Sequence, residues 1–216
     1  MTDYVAGGRR IANVPHTTEA EGAAAVAAAI ARRNGLPAAV WGMLILIGSE
    51  SMLFGCMVAS YFYLRFHNAQ WPPAGVPKPD LLVPLVMLAV LVSTSVPMQL
   101  ASRAVRRGRV GATRFFVLAA LFVQAGYFAY EIHDYTDRLH QFDATTGAYG
   151  SIYFTLLGAD HAHVLLGMLF SLWLLWKLAR GLTTYRANAT QAIAWYWHAV
   201  NVITIVVIGT LLSARA

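Results

Sequence analysis

The chain is poor in charge and nearly devoid of cysteine. Of its 216 residues only 12% are Asp, Glu, Lys or Arg, against about 25% in an ordinary soluble domain. The single cysteine, Cys56, lies in an apolar run. It leaves no intramolecular disulfide and no thiol pair for a metal, and reads as a small core or lipid-facing residue. A Gly-rich phosphate loop, a nucleophile triad and zinc-ligand spacing are all missing from the sequence. So are an internal repeat and a second domain. Acids are scarce too, ten against sixteen Lys plus Arg, for a net charge of +6. That surplus would suit nucleic acid, but nearly all the basic residues flank apolar spans, which excludes the reading. Residues 1–37 contain no apolar core framed by an early charge and a small-residue cleavage site. No cleavable signal peptide is expected, and the first apolar span should act as its own insertion signal.

Long apolar runs are what the sequence has in abundance. Crossing a bilayer takes about 20 mostly apolar residues in a helix, because backbone groups in lipid must bond internally. Five segments meet or approach this: 38–64, 81–101, 113–133, 148–176 and 192–214. The fold class expected is an all-α membrane protein, a bundle of five transmembrane helices over 38–214. Residues 1–37 form a tail, in which Thr18 and Glu21 make a capping box ahead of an Ala-rich helix. Placing the N-terminus in the cytoplasm puts Arg9, Arg10, Arg32, Arg33, Arg103, Arg106, Arg107, Arg109, Arg114, Lys177, Arg180 and Arg186 inside. It leaves only Arg65, Lys78, Arg138 and Arg215 outside. Twelve against four decides the orientation, since basic loops stay cytoplasmic, and the C-terminus then lies outside. The outer loop from His133 to Thr146 carries Asp134, Asp137 and Asp143, and the outer stretch Trp71–Pro79 is proline-rich and extended.

Polar side chains at bilayer depth cost about 3 kcal/mol or more when charged, so the few exceptions carry the information. Glu50 sits near the centre of the first span with no base at i±3 or i±4. It must face another helix, a water-filled cavity or a lipid head group, or carry a proton; it serves proton handling or simply fixes helix packing. In the fourth span Asp160 and His163 share a helix face, whereas His161 and His163 point in nearly opposite directions and make poor joint metal ligands. Asp160 is expected to hold His163 and present it to Glu50, so that Glu50→Leu and His163→Leu destabilise equally. Gln124, Tyr127 and Glu131 form one stripe on the third span; His198 and Asn201, with Trp195, form another on the fifth. Ser93, Thr94 and Ser95 should bond carbonyls or a neighbouring helix. Such stripes more often join helices than do chemistry. A haem held by His163 and His198 is disfavoured by their depths, which differ by about 6–9 Å from the rise per residue.

Four stretches in order resemble subunit III of the haem–copper oxidases in its short, five-helix bacterial form. Gly48-Ser49-Glu50-Ser51-Met52-Leu53-Phe54 is similar to the family's Ser-Glu signature. Phe122-Val123-Gln124 … Tyr130-Glu131 is similar to its Phe-x-x-Gln … Glu-Tyr region. Gly158 to Gly167 resembles G-x-H-G-x-H-V-x-x-G, and Trp195 to Val202 resembles Y-W-H-F-V-D-V. The likeness covers about residues 38–213 and leaves the N-terminal tail unmatched. Departures are Asp160 for the first histidine of the fourth-span pattern, His161 for a glycine, Ala199 for a phenylalanine and Asn201 for an aspartate.

The resemblance implies a multi-pass protein of the bacterial inner membrane that has no catalytic residue and binds no haem or copper. These groups belong to partner subunits, above all the catalytic subunit I of a complex that reduces oxygen to water and pumps protons. Such a subunit steadies the catalytic one, protects its metal centre during turnover, sustains proton uptake and holds phospholipids. It implies a buried polar network of Glu50, Asp160, His161, His163, His198, Asn201, Gln124 and Glu131. Arg65 and Trp41, with the cytoplasmic arginines, are the candidate lipid contacts. Alternatives are the accessory membrane subunit of nitric oxide reductase, and an independent ion transporter, which the lack of repeat symmetry argues against. A cytochrome b-type haem subunit is a further one.

Overall fold

The computed structural model describes residues 18–32, 35–145 and 147–215; Arg9, Arg10, Arg33 and Thr146 lie outside them. All regular structure among the described residues is helical: α1 Glu19–Ala31, α2 Ala38–His67, α3 Leu82–Ser93, α4 Ser95–Arg106, α5 Val110–Gln141, α6 Gly147–Leu178 and α7 Thr184–Leu212, then one 3₁₀ turn. Among the described residues five spans are long and apolar enough to cross a membrane, the second being α3 and α4 in succession.

The helices outrun the apolar runs that predict them. α5 reaches Gln141 rather than about His133, and α7 begins at Thr184 rather than Ala192. Hydropathy marks only what lipid must cover, while a helix continues wherever its backbone stays bonded. A 32-residue helix is about 48 Å long, beyond the roughly 30 Å hydrocarbon core. The second span is not one unbroken helix either. Pro97 has no N–H to give Ser93, and Thr94 folds back, its hydroxyl donating to Leu91 O at 2.7 Å and its N–H at 3.0 Å. The missing bond and the tightened turn break the helix at Thr94.

α1 starts at the expected capping box: Thr18 N–H donates to Glu21 Oε2 at 2.8 Å and Glu21 N–H to Thr18 Oγ1 at 3.3 Å. It lies across the turn between α4 and α5, where Gly108 has φ +68° and a Cβ would sit 2.8 Å from Ala23 O. Arg114 fastens it, reaching Glu19 Oε1 at 3.1 Å while donating from Nε to Leu178 O at 3.1 Å. α1 therefore straps across α4 and α7, and Arg114 ties it to α5 and to the end of α6.

α7 is the hub, packed against α2, α3, α4 and α6, while α2 packs mainly against α7 and α6 among the described residues. The α6–α7 seam closes at Gly167, where a Cβ would stand 2.8 Å from the Trp197 ring. Trp197 Nε1–H then reaches Ser171 Oγ at 3.0 Å, and Tyr196 O–H reaches His163 O at 2.9 Å. Small residues that admit large rings, plus hydrogen bonds, are how helices associate where lipid removes the hydrophobic drive. One apolar cluster, with Leu91, Met98, Val117, Val164 and Trp197, lies toward the α1 end. A second, aromatic one, with Tyr61, Phe142, Tyr149 and Phe154, lies toward the other.

Candidate functional site

Glu50 finds its counterpart on another helix. Its Oε2 lies 3.0 Å from His163 Nε2, across the α2–α6 contact. The other ring nitrogen, Nδ1, is 2.7 Å from Ala159 O, a carbonyl that can only accept, so Nδ1 carries hydrogen. One proton is then left to be shared between Oε2 and Nε2. Whether it sits on the acid or the imidazole, the pair is neutral as a unit, which reduces what bilayer depth costs. Phe54, one turn after Glu50, meets the imidazole edge-on at 5.1 Å. Both nitrogens of His163 are engaged within the protein.

Asp160 does not hold His163, contrary to expectation. Its Oδ1 accepts from Thr204 Oγ1 at 2.7 Å, across to α7. His163 takes its orientation from its own helix, because the carbonyl four residues back is the nearer acceptor. His161 points the other way, as its two-residue offset from His163 requires, and lies 3.4 Å from Glu131 Oε2 on α5. Beside Glu131 is a cavity of about 30 Å³ also lined by Pro79, Tyr130, Asp134, Arg138 and Tyr153. It is large enough for one or two waters, and Arg138 Nε donates there to Asp134 at 2.6 Å.

The remaining candidates join α7 and α5 to the broken span. Asn201 Nδ2 donates to Ser95 Oγ at 2.7 Å, Gln124 Nε2 to Thr94 Oγ1 at 3.3 Å, and His198 Nε2 meets Gln99 Oε1 at 3.2 Å. Four atoms of this network, Gln124 Oε1, Asp160 Oδ2, His161 Nδ1 and Asn201 Oδ1, are buried without a partner among the described residues. No group of three His, Cys, Asp or Glu able to hold a metal occurs among those residues. Thr204 and Gln99 escaped the sequence reading, although Thr204 is three residues beyond Asn201 and Gln99 four beyond Ser95, the spacings that continue a face. Arg65 and Trp41 lie at opposite ends of α2, about 36 Å apart by helical rise, so they cannot share one head group.

The model of the family described as cytochrome c oxidase subunit III matches residues 18–211. The chain belongs to the cytochrome c oxidase subunit III family. The match starts at α1, so the strap helix belongs to the family pattern and is not the unmatched tail expected from the motifs. Cytochrome c oxidase subunit 3 of Thermostichus vulcanus is 28% identical over 175 residues, 80% of this chain and 85% of that protein. The protein of the same name from Petromyzon marinus is 32% identical over 175 residues, 76% of this chain and 64% of that one. Quinol oxidase subunit 3 of Bacillus subtilis (strain 168) is 28% identical over 171 residues, 77% and 82%. As a subunit III with five spans, the chain is a multi-pass membrane protein and a component of an oxidase complex.

Proposed function

We propose that this subunit III is a non-catalytic component of a proton-pumping haem–copper oxidase of the bacterial inner membrane. It has no redox group of its own; haem and copper belong to partner subunits, with the catalytic subunit I as its main neighbour. It steadies that subunit, sustains proton uptake into it and holds phospholipid. The observation that carries this reading is that every acid at bilayer depth is tied to another helix: Glu50 to α6, Glu131 to α6, Asp160 to α7. Acids so engaged join a scaffold and do not open onto a substrate.

The N-terminus lies in the cytoplasm and the C-terminus outside. Supporting this, Arg32, Arg103, Arg106, Arg107, Arg109, Arg114, Lys177, Arg180 and Arg186 belong to the loops and helix ends on the α1 side. An open apolar groove of about 480 Å³ between α2, α6 and α7, lined by Met43, Phe170, Trp173 and Tyr185, suits an acyl chain. Lys177 Nζ, 5.7 Å from the Trp173 ring, stands where a phosphate would lie. Arg65 and Trp41 serve two further lipids, one in each leaflet.

Oxygen consumption by the complex purified with and without this chain tests the reading. Without it, the haem spectrum should persist and initial turnover begin, followed by progressive loss of activity. Loss of the haem spectrum, or undiminished sustained turnover, refutes the role.

A further inference from the structure

Three acids stand at bilayer depth, and two of them have a histidine. Glu50 meets His163 at 3.0 Å and Glu131 meets His161 at 3.4 Å. Asp160 is the odd one. It is fully buried; its Oδ1 accepts from the Thr204 hydroxyl, and its Oδ2 has no partner among the described residues. The titratable groups around it are His161 and His163 on its own helix, with Glu131 and Tyr127 on α5. Both histidines are already taken, and the second acid and the phenol bring no positive charge. In the family pattern the positions of Asp160 and Asn201 hold a histidine and an aspartate, a base and an acid; here the acid is on α6 and that base is gone. A carboxylate so placed is unfavourable until a proton or a cation compensates it.

The surroundings have acceptors to spare and few donors. Asn201 gives its Nδ2–H to Ser95 Oγ at 2.7 Å, which leaves Oδ1 buried and unmatched. Gln124 gives its Nε2–H to Thr94 Oγ1 at 3.3 Å and leaves Oε1 in the same condition. Thr94 and Ser95 are neighbours at the break between α3 and α4, and Asn201 is three residues from the Thr204 that meets Asp160. These bonds set the three free oxygens, on α5, α6 and α7, within about 5 Å of height, one helical turn. The hydroxyl hydrogens nearby are already given, Thr94 to Leu91 O and Thr204 to Asp160 Oδ1. A proton on Asp160 would reach one amide oxygen and leave the other. A water could donate to two of the three oxygens but would leave the charge. A cation answers all three oxygens and the charge together. The outer cavity beside Glu131 ends one turn away, its walls including Leu157 and Ile208, three residues before Asp160 and four after Thr204. It gives an ion its approach from that side.

We propose that Asp160 Oδ2, Asn201 Oδ1 and Gln124 Oε1 hold a monovalent hard cation of the sodium kind, which ties α5, α6 and α7 together level with the broken span. The single carboxylate selects the single charge. Ions of the calcium kind are tuned by several charged ligands, and a surplus positive charge at this depth would be as unfavourable as the bare acid. Oxygen ligands beside an interrupted membrane helix are a recurrent setting for sodium. Asp160 thus does through an ion what Glu50 and Glu131 do through histidines.

The test is equilibrium binding of radioactive sodium to the full chain in mixed micelles, with unfolding midpoints taken in sodium and in choline chloride at one ionic strength. One sodium per chain should bind saturably, choline should not displace it, and the midpoint should be higher in sodium. Asp160→Asn should abolish both the binding and the midpoint difference. Gln124→Leu, which keeps the acid, should weaken binding about tenfold and locates the site independently if Asp160→Asn does not fold. Glu50→Gln, at another acid of similar depth, should leave sodium binding unchanged. No saturable binding by the unaltered chain overturns the site, and so do equal midpoints in the two salts, the result expected of a protonated or merely hydrated Asp160. Binding that choline displaces equally, that is unmoved by Asp160→Asn or Gln124→Leu, or that Glu50→Gln abolishes as well, also overturns it.

Discussion

Removing either half of the Glu50–His163 pair should destabilise the bundle, and removing both should cost less than the sum. The side chains of His163 and Glu50 are only 16% and 27% exposed, so water compensates little for a lost partner. Glu50→Leu strands a neutral imidazole whose Nδ1 bond to Ala159 O survives. The cost is that of one buried polar group left without its bond, about 1–2 kcal/mol. His163→Leu strands a carboxyl at bilayer depth, worth about 3 kcal/mol on insertion scales, and also removes the ring that packs on Phe54. The two variants are therefore unequal, with His163→Leu the worse by about 1–2 kcal/mol. That revises the equality expected when Asp160 was thought to brace the histidine. In the double variant two leucines face each other across α2 and α6, and apolar replacement of a buried pair is often close to neutral. The cycle should give a coupling of about 1–2 kcal/mol or more, read from reversible unfolding in mixed micelles. Costs that add to within about 0.5 kcal/mol would mean the two side chains do not depend on each other, and the reasoning from a shared proton would fail.

Three further outcomes follow from single contacts. Gly167→Val should destabilise by about 1–3 kcal/mol by overpacking against Trp197, visible as a lower unfolding midpoint and altered Trp fluorescence; an unchanged midpoint would mean the seam is looser than described. Thr204→Val removes the donor to Asp160 and should cost about 1–3 kcal/mol, whereas Thr204→Ser, which keeps the hydroxyl, should cost far less; equal losses would assign the effect to packing. Arg114→Ala should cost about 1–3 kcal/mol, nearly all from the part-buried bond to Leu178 O, because the ion pair to Glu19 is largely exposed. It should also free α1, so that trypsin cuts at Arg32 faster while the spans resist; an unchanged cutting rate would show that the strap is held elsewhere.

The spans could be read from sequence because lipid imposes one demand, continuous apolar length, and the runs answer it. Their true ends could not be read this way. The polar opening turns of α7 and the far end of α5 lie where water or neighbouring protein satisfies the chain, so composition there is unconstrained. The break at Thr94 was hidden for a related reason: a hydropathy average does not register that Pro97 lacks an N–H.

The partner of Glu50 was legible by scarcity. A lone acid at depth needs a base from another helix, and the only histidines within the spans' cores are His161, His163 and His198. Asp160 was misassigned because the same scarcity does not apply to its needs. A carboxyl accepts from any hydroxyl, and spans hold many Ser and Thr that ordinarily bond their own carbonyls. Thr204 does both at once, giving to Asp160 at 2.7 Å and lying 3.0 Å from Val200 O. Sequence can say which groups must be matched across helices, and it names the match where candidates are few. Where backbone carbonyls and hydroxyls compete at every turn, only the packing of α6 against α7 selects among them. Of the polar residues that differ from the family pattern, Asp160 and Asn201 fall in that second class, with hydroxyl partners, whereas His161 meets the carboxylate of Glu131. Each has a partner on α5, α7 or α4, yet Asp160 Oδ2, His161 Nδ1 and Asn201 Oδ1 stay buried without one among the described residues, so these three side chains are only half matched within the five-span frame.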